Sequence, residues 1–148
     1  MADLAGQPLP DVDLLATVGR TVNPARQPGR AVYVIYPYTG QPGTPDPPGW
    51  DGIAGAHGST PQLRAYSAAC AAFATHGVKL FGLSLQNTDW QRDFVARNAL
   101  AFPLLSDAGG AFSYHLKLAT FVAGEKAFLV RRTLLAVDGV VRHDRQAV

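Results

Sequence analysis

Ser59 marks the stretch of this chain best placed for chemistry. It stands in Gly55-Ala56-His57-Gly58-Ser59-Thr60-Pro61-Gln62, after a β-like run from Ala31 to Tyr36 and before a helix-like run from Pro61 to Thr75. A side chain at the start of a helix meets unsatisfied backbone N–H groups and the positive end of the helix dipole. A cysteine there would ionise readily and act as a thiolate nucleophile. A serine hydroxyl gains little from a dipole alone. On residue physics alone, Ser59 or Thr60 reads first as a helix N-cap worth roughly 1 kcal/mol, with Pro61 in the first turn.

Other reactive side chains are few. Cys70 is the only cysteine, so an extracellular disulfide framework, a CxxC redox pair and a cysteine zinc site are all excluded. Cys70 shares a helical stripe with Leu63, Tyr66 and Phe73 and is expected to be a buried core thiol. A disulfide between positions 59 and 70 would need the helix to melt, since roughly 16 Å of helix separates them. The four histidines, His57, His76, His115 and His143, show no metal-site spacing, so no metal is expected. His57 precedes Ser59 by two residues, but no G-x-S-x-G elbow surrounds the serine, which speaks against a hydrolase. His57 is expected at a pocket entrance or facing solvent.

Composition sets the class. At 148 residues the chain fits one domain over 1–148, and 47% hydrophobic with 16% charged residues reads as globular. A net charge of +2, with no basic stripe beyond Arg131-Arg132, argues against nucleic acid or an anionic membrane as partner. No apolar run approaches the ~20 residues of a membrane span. The N-terminus shows no signal-peptide pattern, so a cytoplasmic location is expected. A monomer or weak homodimer is expected.

The elements that must position Ser59 alternate. Asp11–Ala16 and Thr21-Val22 suggest a small hairpin around Gly19-Arg20, and Ala31–Tyr36 is a continuous apolar strand. Residues 37–58 form a long loop rich in proline and glycine, of the kind that is usually functional or mobile. After the helix ending at His76-Gly77 come a strand over Lys79–Leu85, a helix from Asn87 or Thr88 to Asn98, and a short strand over Phe102–Leu105. A third helix over about Ala111–Leu116 starts from Ser106 or Asp107. A long strand over Lys126–Val137 then turns at Asp138-Gly139 into Val140–Arg142. This order implies an α/β three-layer sandwich on a mixed sheet.

Three motifs carry a resemblance. Tyr36-Pro37-Tyr38-Thr39-Gly40-Gln41-Pro42-Gly43, Gly49-Trp50-Asp51 and Gly58-Ser59-Thr60-Pro61-Gln62 together resemble the bacterioferritin-comigratory-like branch of the peroxiredoxins. The likeness extends loosely from Leu9 to about Val141. It implies a thioredoxin-like fold with an N-terminal β-hairpin extension. It also implies a thiol peroxidase, needing no cofactor, that reduces hydrogen peroxide or organic hydroperoxides through a cysteine at position 59, regenerated by a thioredoxin-like reductant. Here that position is Ser59, by engineered change or natural loss, and the chain as written is expected to be inactive. Where some members carry a second cysteine, this chain has Arg64. The resemblance implies that Arg132 holds the thiolate ionised. It places Pro37, Thr39, Gly58 and Thr60 around the peroxide, with Thr39 standing in for a hydroxyl that Ala56 lacks. Adjacent strand residues face opposite ways, so at most one of Arg131 and Arg132 can reach the site. The alternative is a catalytically inactive peroxiredoxin-like binding or sensor module.

Overall fold

The computed structural model describes residues 2–146. Its strands are β1 (Leu14–Ala16), β2 (Thr21–Val22), β3 (Arg30–Ile35), β4 (Val78–Ser84), β5 (Leu104–Ser106), β6 (Thr120–Ala123), β7 (Lys126–Leu129), β8 (Arg132–Val137) and β9 (Val140–Gln146). The helices are α1 (Ser59–Thr75), α2 (Thr88–Asn98) and α3 (Ala111–Leu116). Seven strands form one sheet in the order β2-β1-β5-β4-β3-β8-β9, with β3, β4 and β5 parallel and the remaining pairs antiparallel. Strands β6 and β7 make a separate hairpin.

Alternation along β3 explains the layers. Val32, Val34 and Tyr36 point to one side, where they pack with Leu63 of α1 and Phe94 of α2. Ala31, Tyr33 and Ile35 point to the other, against Phe112 and Leu116 of α3 and the N-terminal hairpin. Both faces are covered, which is why this strand reads as a continuous apolar run. The fold is a thioredoxin-like mixed sheet between helical layers; the pattern of elements implied the α/β sandwich, and the resemblance implied its thioredoxin-like form.

Several boundaries differ from the sequence reading. The expected strand over Lys126–Val137 is two strands in different sheets, because the chain leaves the β6–β7 hairpin at Val130-Arg131 before joining β3 as β8. Strand β9 runs on to Gln146, and residues near the N-terminus pair alongside it through a Pro8–Val140 bridge and a Gly6 N–H donating to Val141 O at 2.7 Å. Asn87 caps α2, its Oδ1 accepting from Trp90 N at 2.8 Å. Asp107 accepts from the N–H groups of Phe112 and Ser113 at the start of α3.

Candidate functional site

Helix α1 begins two residues earlier than its proline suggests. Gly58 is the N-cap, with φ of 105°, and Ser59 is already the first helical residue. A side chain would strain that left-handed backbone. No side chain caps the helix, so the expectation that Ser59 or Thr60 acts as an N-cap is corrected. Pro61 has no N–H, and the first helical bond runs from Gln62 N to Gly58 O at 3.1 Å. The N–H groups of Ser59 and Thr60 are left without acceptors among the described residues.

The Ser59 hydroxyl is 2% exposed and accepts a hydrogen bond from Arg131 Nη2 at 3.0 Å. The same Nη2 donates to His57 O at 3.1 Å and Gly55 O at 3.2 Å, and Nη1 donates to Gln62 Oε1 at 2.6 Å. The arginine is thus cradled by the loop before α1 and by the first turn of α1 itself. All four acceptors are neutral, and no carboxylate lies within salt-bridge distance among the described residues. Burial alone pushes the Arg131 guanidinium below its ordinary pKa.

Arg132 is elsewhere, which corrects the choice made from the resemblance. It is 3% exposed and forks onto Asp144, with Nε to Oδ1 at 3.1 Å and Nη2 to Oδ2 at 2.5 Å, and Nη2 also donates to Ala2 O at 2.9 Å. Arg132, Leu134 and Ala136 are buried on the sheet face that holds α3, whereas Leu135 packs on the α1 side. Arg131 has the parity of Leu135 and so reaches α1.

Loop 37–58 is tied down on both sides. Thr39 is buried, and both its N–H and its hydroxyl donate to Gln86 Oε1 at 3.1 Å. Its carbonyl accepts from Gln86 Nε2 at 3.0 Å and Trp90 Nε1 at 2.6 Å. The Thr39 hydroxyl is therefore committed to Gln86 rather than to Ser59. Trp50 is 4% exposed and touches the rings of Tyr38, His57, Phe121 and Phe128. With Ala56 in the same cluster, this contact holds the Gly55–His57 segment against the β6–β7 hairpin. The sequence reading missed that aromatic cluster, although Trp50, Phe121 and Phe128 are the signal that could have found it.

Pro37 is buried and lines a neighbouring cleft of about 780 Å³ with Tyr38, Trp90 and Phe128. Ser59 is not part of that cleft, and the side-chain amides of Gln86 and Asn87 on its wall are taken up by Thr39 and by the α2 cap. His57 is exposed, with Nε2 2.6 Å from Asp51 Oδ1. Asp46, Asp51 and His57 bring ligand atoms within 4.8 Å of one another at the surface, three where a closed zinc site uses four. Cys70 is half-buried rather than buried, its Sγ 3.9 Å from Ala101 O, on the same unbroken helix as Ser59. No described helix is long and apolar enough to cross a membrane.

A model of the Redoxin family matches residues 4–148. The chain belongs to that family. Among solved structures, this redoxin resembles the bacterioferritin comigratory protein of Xanthomonas campestris, a protein with alkyl peroxide reduction activity. They share 23% identity at a TM-score of 0.74, over 97% of this chain and 88% of that one. The peroxidoxin BcpB of Mycobacterium tuberculosis is similar at 19% identity and a TM-score of 0.76, covering 98% and 86% of the two chains. A cysteine-to-serine mutant of PrxQ from Xylella fastidiosa is similar at 15% identity and a TM-score of 0.78, covering 100% and 88%. No curated protein matches. At these identities the likeness establishes a shared fold, and activity has to be argued from the site.

Proposed function

We propose that this redoxin carries the site of a peroxiredoxin-type thiol peroxidase with its nucleophile replaced by Ser59, so that the chain as written does not turn over peroxide. The observation that carries this reading is a buried Ser59 at the first position of α1, within 3.0 Å of Arg131. A cysteine at that position would sit beside a cation and a helix N-terminus, both of which favour the thiolate. The thiolate would attack one peroxide oxygen and the O–O bond would break. The sulfur becomes a sulfenic acid, water or an alcohol leaves, and an external dithiol of the thioredoxin type restores the thiol while being oxidised to a disulfide. A serine hydroxyl stays protonated and has no such oxidation step. Arg131, rather than Arg132, takes the role of holding the anion.

Peroxide consumption with dithiothreitol tests this. The chain as written should match a control without protein, and Ser59→Cys should gain turnover that Arg131→Met in that background largely removes. Turnover by the unaltered chain would make Cys70 the nucleophile. A Ser59→Cys variant that stays inert would overturn the reading. The second reading, a cytoplasmic binding or sensor module without catalysis, is favoured by one feature: the group that meets the Ser59 hydroxyl, Arg131 Nη2, is a cationic donor.

A further inference from the structure

A second cavity lies on the α3 side of the sheet, away from Ser59. Its volume is about 390 Å³, and it is walled by the N-terminal segment, the end of α3 and the start of β8. Four of its side chains carry N–H donors: Gln7, His115, Lys117 and Arg132. Arg132 is the buried one, at 3% exposure. Its Nε and Nη2 are committed to Asp144 and to Ala2 O. Its Nη1, which carries two further N–H groups, has no acceptor among the described residues. Yet it is not one of the fully buried atoms without a partner, which are the Tyr36 hydroxyl and Gln91 Oε1. Nη1 is therefore the guanidinium nitrogen that opens onto the cavity Arg132 lines.

The charge comes from Lys117. The Arg132–Asp144 pair is neutral as a unit, whereas Lys117 is exposed and enters no ion pair among the described residues. The nearby Asp3 does not line the cavity, and its Oδ1 accepts from Ala5 N at 2.9 Å. The end of α3 opposes an anion little, because the carbonyls of Ser113 and Tyr114 already accept from the N–H groups of Leu118 and Lys117. Lys117 also holds a left-handed backbone, with φ of 56°, at a helix end where glycine is the easy choice. Backbone strain of this kind gathers at functional sites.

We propose that this cavity binds small phosphomonoesters. Its donors arrive from the N-terminal segment, α3, the α3 cap and β8, and a tetrahedral oxyanion can accept from such separate directions where a planar carboxylate cannot. Arginine and lysine are both established phosphate donors. The volume falls within the roughly 300–1,000 Å³ of small-molecule sites. The remaining walls include Leu4, Leu116 and Ala119, which suit the carbon chain of an ester. The site does not depend on what stands at position 59.

A nuclear magnetic resonance titration of the full chain tests this, in phosphate-free buffer at low ionic strength, where screening is weak. The backbone amides of Leu4, Gln7, Lys117 and Ala119 are followed. The probes are propyl phosphate, inorganic phosphate, butyrate and propanol. Propyl phosphate should shift these amides saturably and leave those of Ser59 and Thr60 in place. It should bind severalfold tighter than inorganic phosphate, because its chain is buried, and tighter than butyrate. Propanol should shift nothing. Arg132 is left unaltered because its loss would unfold the chain. Lys117→Gly should weaken propyl phosphate about tenfold or more, the range for losing a bond to a charged group. The same variant should keep or raise Tm, since glycine takes the left-handed backbone freely. Gln7→Leu should weaken binding severalfold with Tm unchanged. Absence of saturation, shifts centred on Ser59 and Thr60, or equal affinity for butyrate and propyl phosphate would overturn the proposal. So would a Lys117→Gly variant that loses stability and keeps its affinity, because the lysine would then be structural.

Discussion

Replacing Arg132 with methionine should unfold this protein more readily than any change at Ser59, though Arg132 touches nothing at the candidate site. The Arg132 and Asp144 side chains are 2% and 0% exposed. Removing the guanidinium takes both fork bonds from Asp144 and leaves Oδ1 with no partner, while Oδ2 keeps only the Leu4 N–H at 2.8 Å. It also frees Ala2 O. A buried carboxylate stripped of its cation costs about 3–5 kcal/mol. In a chain of this size that corresponds to a fall in Tm of about 10 °C, and to roughly 2 M in the urea midpoint at an ordinary slope. Arg131→Met loses bonds to neutral acceptors, two of them carbonyls at the surface, and should cost about 1 kcal/mol. Urea unfolding of both variants, with the slope checked for constancy, gives the comparison. The double variant Arg132→Met with Asp144→Leu should regain much of the loss, because no charge is then left buried. A cost below about 1 kcal/mol for Arg132→Met, or one equal to that of Arg131→Met, would refute this assignment of the two arginines.

Two further perturbations test the core and the last turn. The Tyr36 hydroxyl is buried without a hydrogen-bond partner, though Ser84 and Gln91 lie near enough to oppose the rise in pKa that burial causes. Tyr36→Phe should therefore change stability at neutral pH by less than about 1 kcal/mol, as calorimetry would show. Burial raises the Tyr33 and Tyr36 phenols well above their ordinary value, so the folded state holds protons that the unfolded chain releases above about pH 10. Their contribution to stability is complete below that pH and is lost as pH rises. The fall should be shallower in Tyr36→Phe by about 1.4 kcal/mol per pH unit. Gly139 has φ of 80°, and a Cβ there would lie 2.2 Å from Ala25 O. Gly139→Ala should cost at least about 2 kcal/mol in chemical denaturation, against about 1 kcal/mol for Gly29→Ala, whose added methyl meets nothing. Equal costs would mean that the turn shifts freely away from Ala25.

Much of this redoxin was legible in order along the chain. The apolar runs of β3 and β4, the Asn87 cap of α2, the short α3 and the Asp138-Gly139 turn are local signals, set by side-chain period and backbone preference within a few residues. The motifs around Pro37, Trp50 and Ser59 pointed to the peroxiredoxin fold for the same reason, since each is contiguous. What lay beyond the sequence was sidedness. Whether Arg131 or Arg132 meets Ser59 depends on which face of β8 turns toward α1, and that follows from the pairing of Arg132 with Ile35 and Gln146 across two neighbouring strands. Whether Ser59 caps its helix or receives Arg131 depends on Gly58 taking the left-handed cap and on the link before β8, 72 residues away, arriving at that point. The separation of β7 from β8 was hidden too, because two strands joined by Val130-Arg131 read as one run until each finds its own partner. Local periodicity decides that an element forms; only packing against distant strands decides which of its faces meets the site.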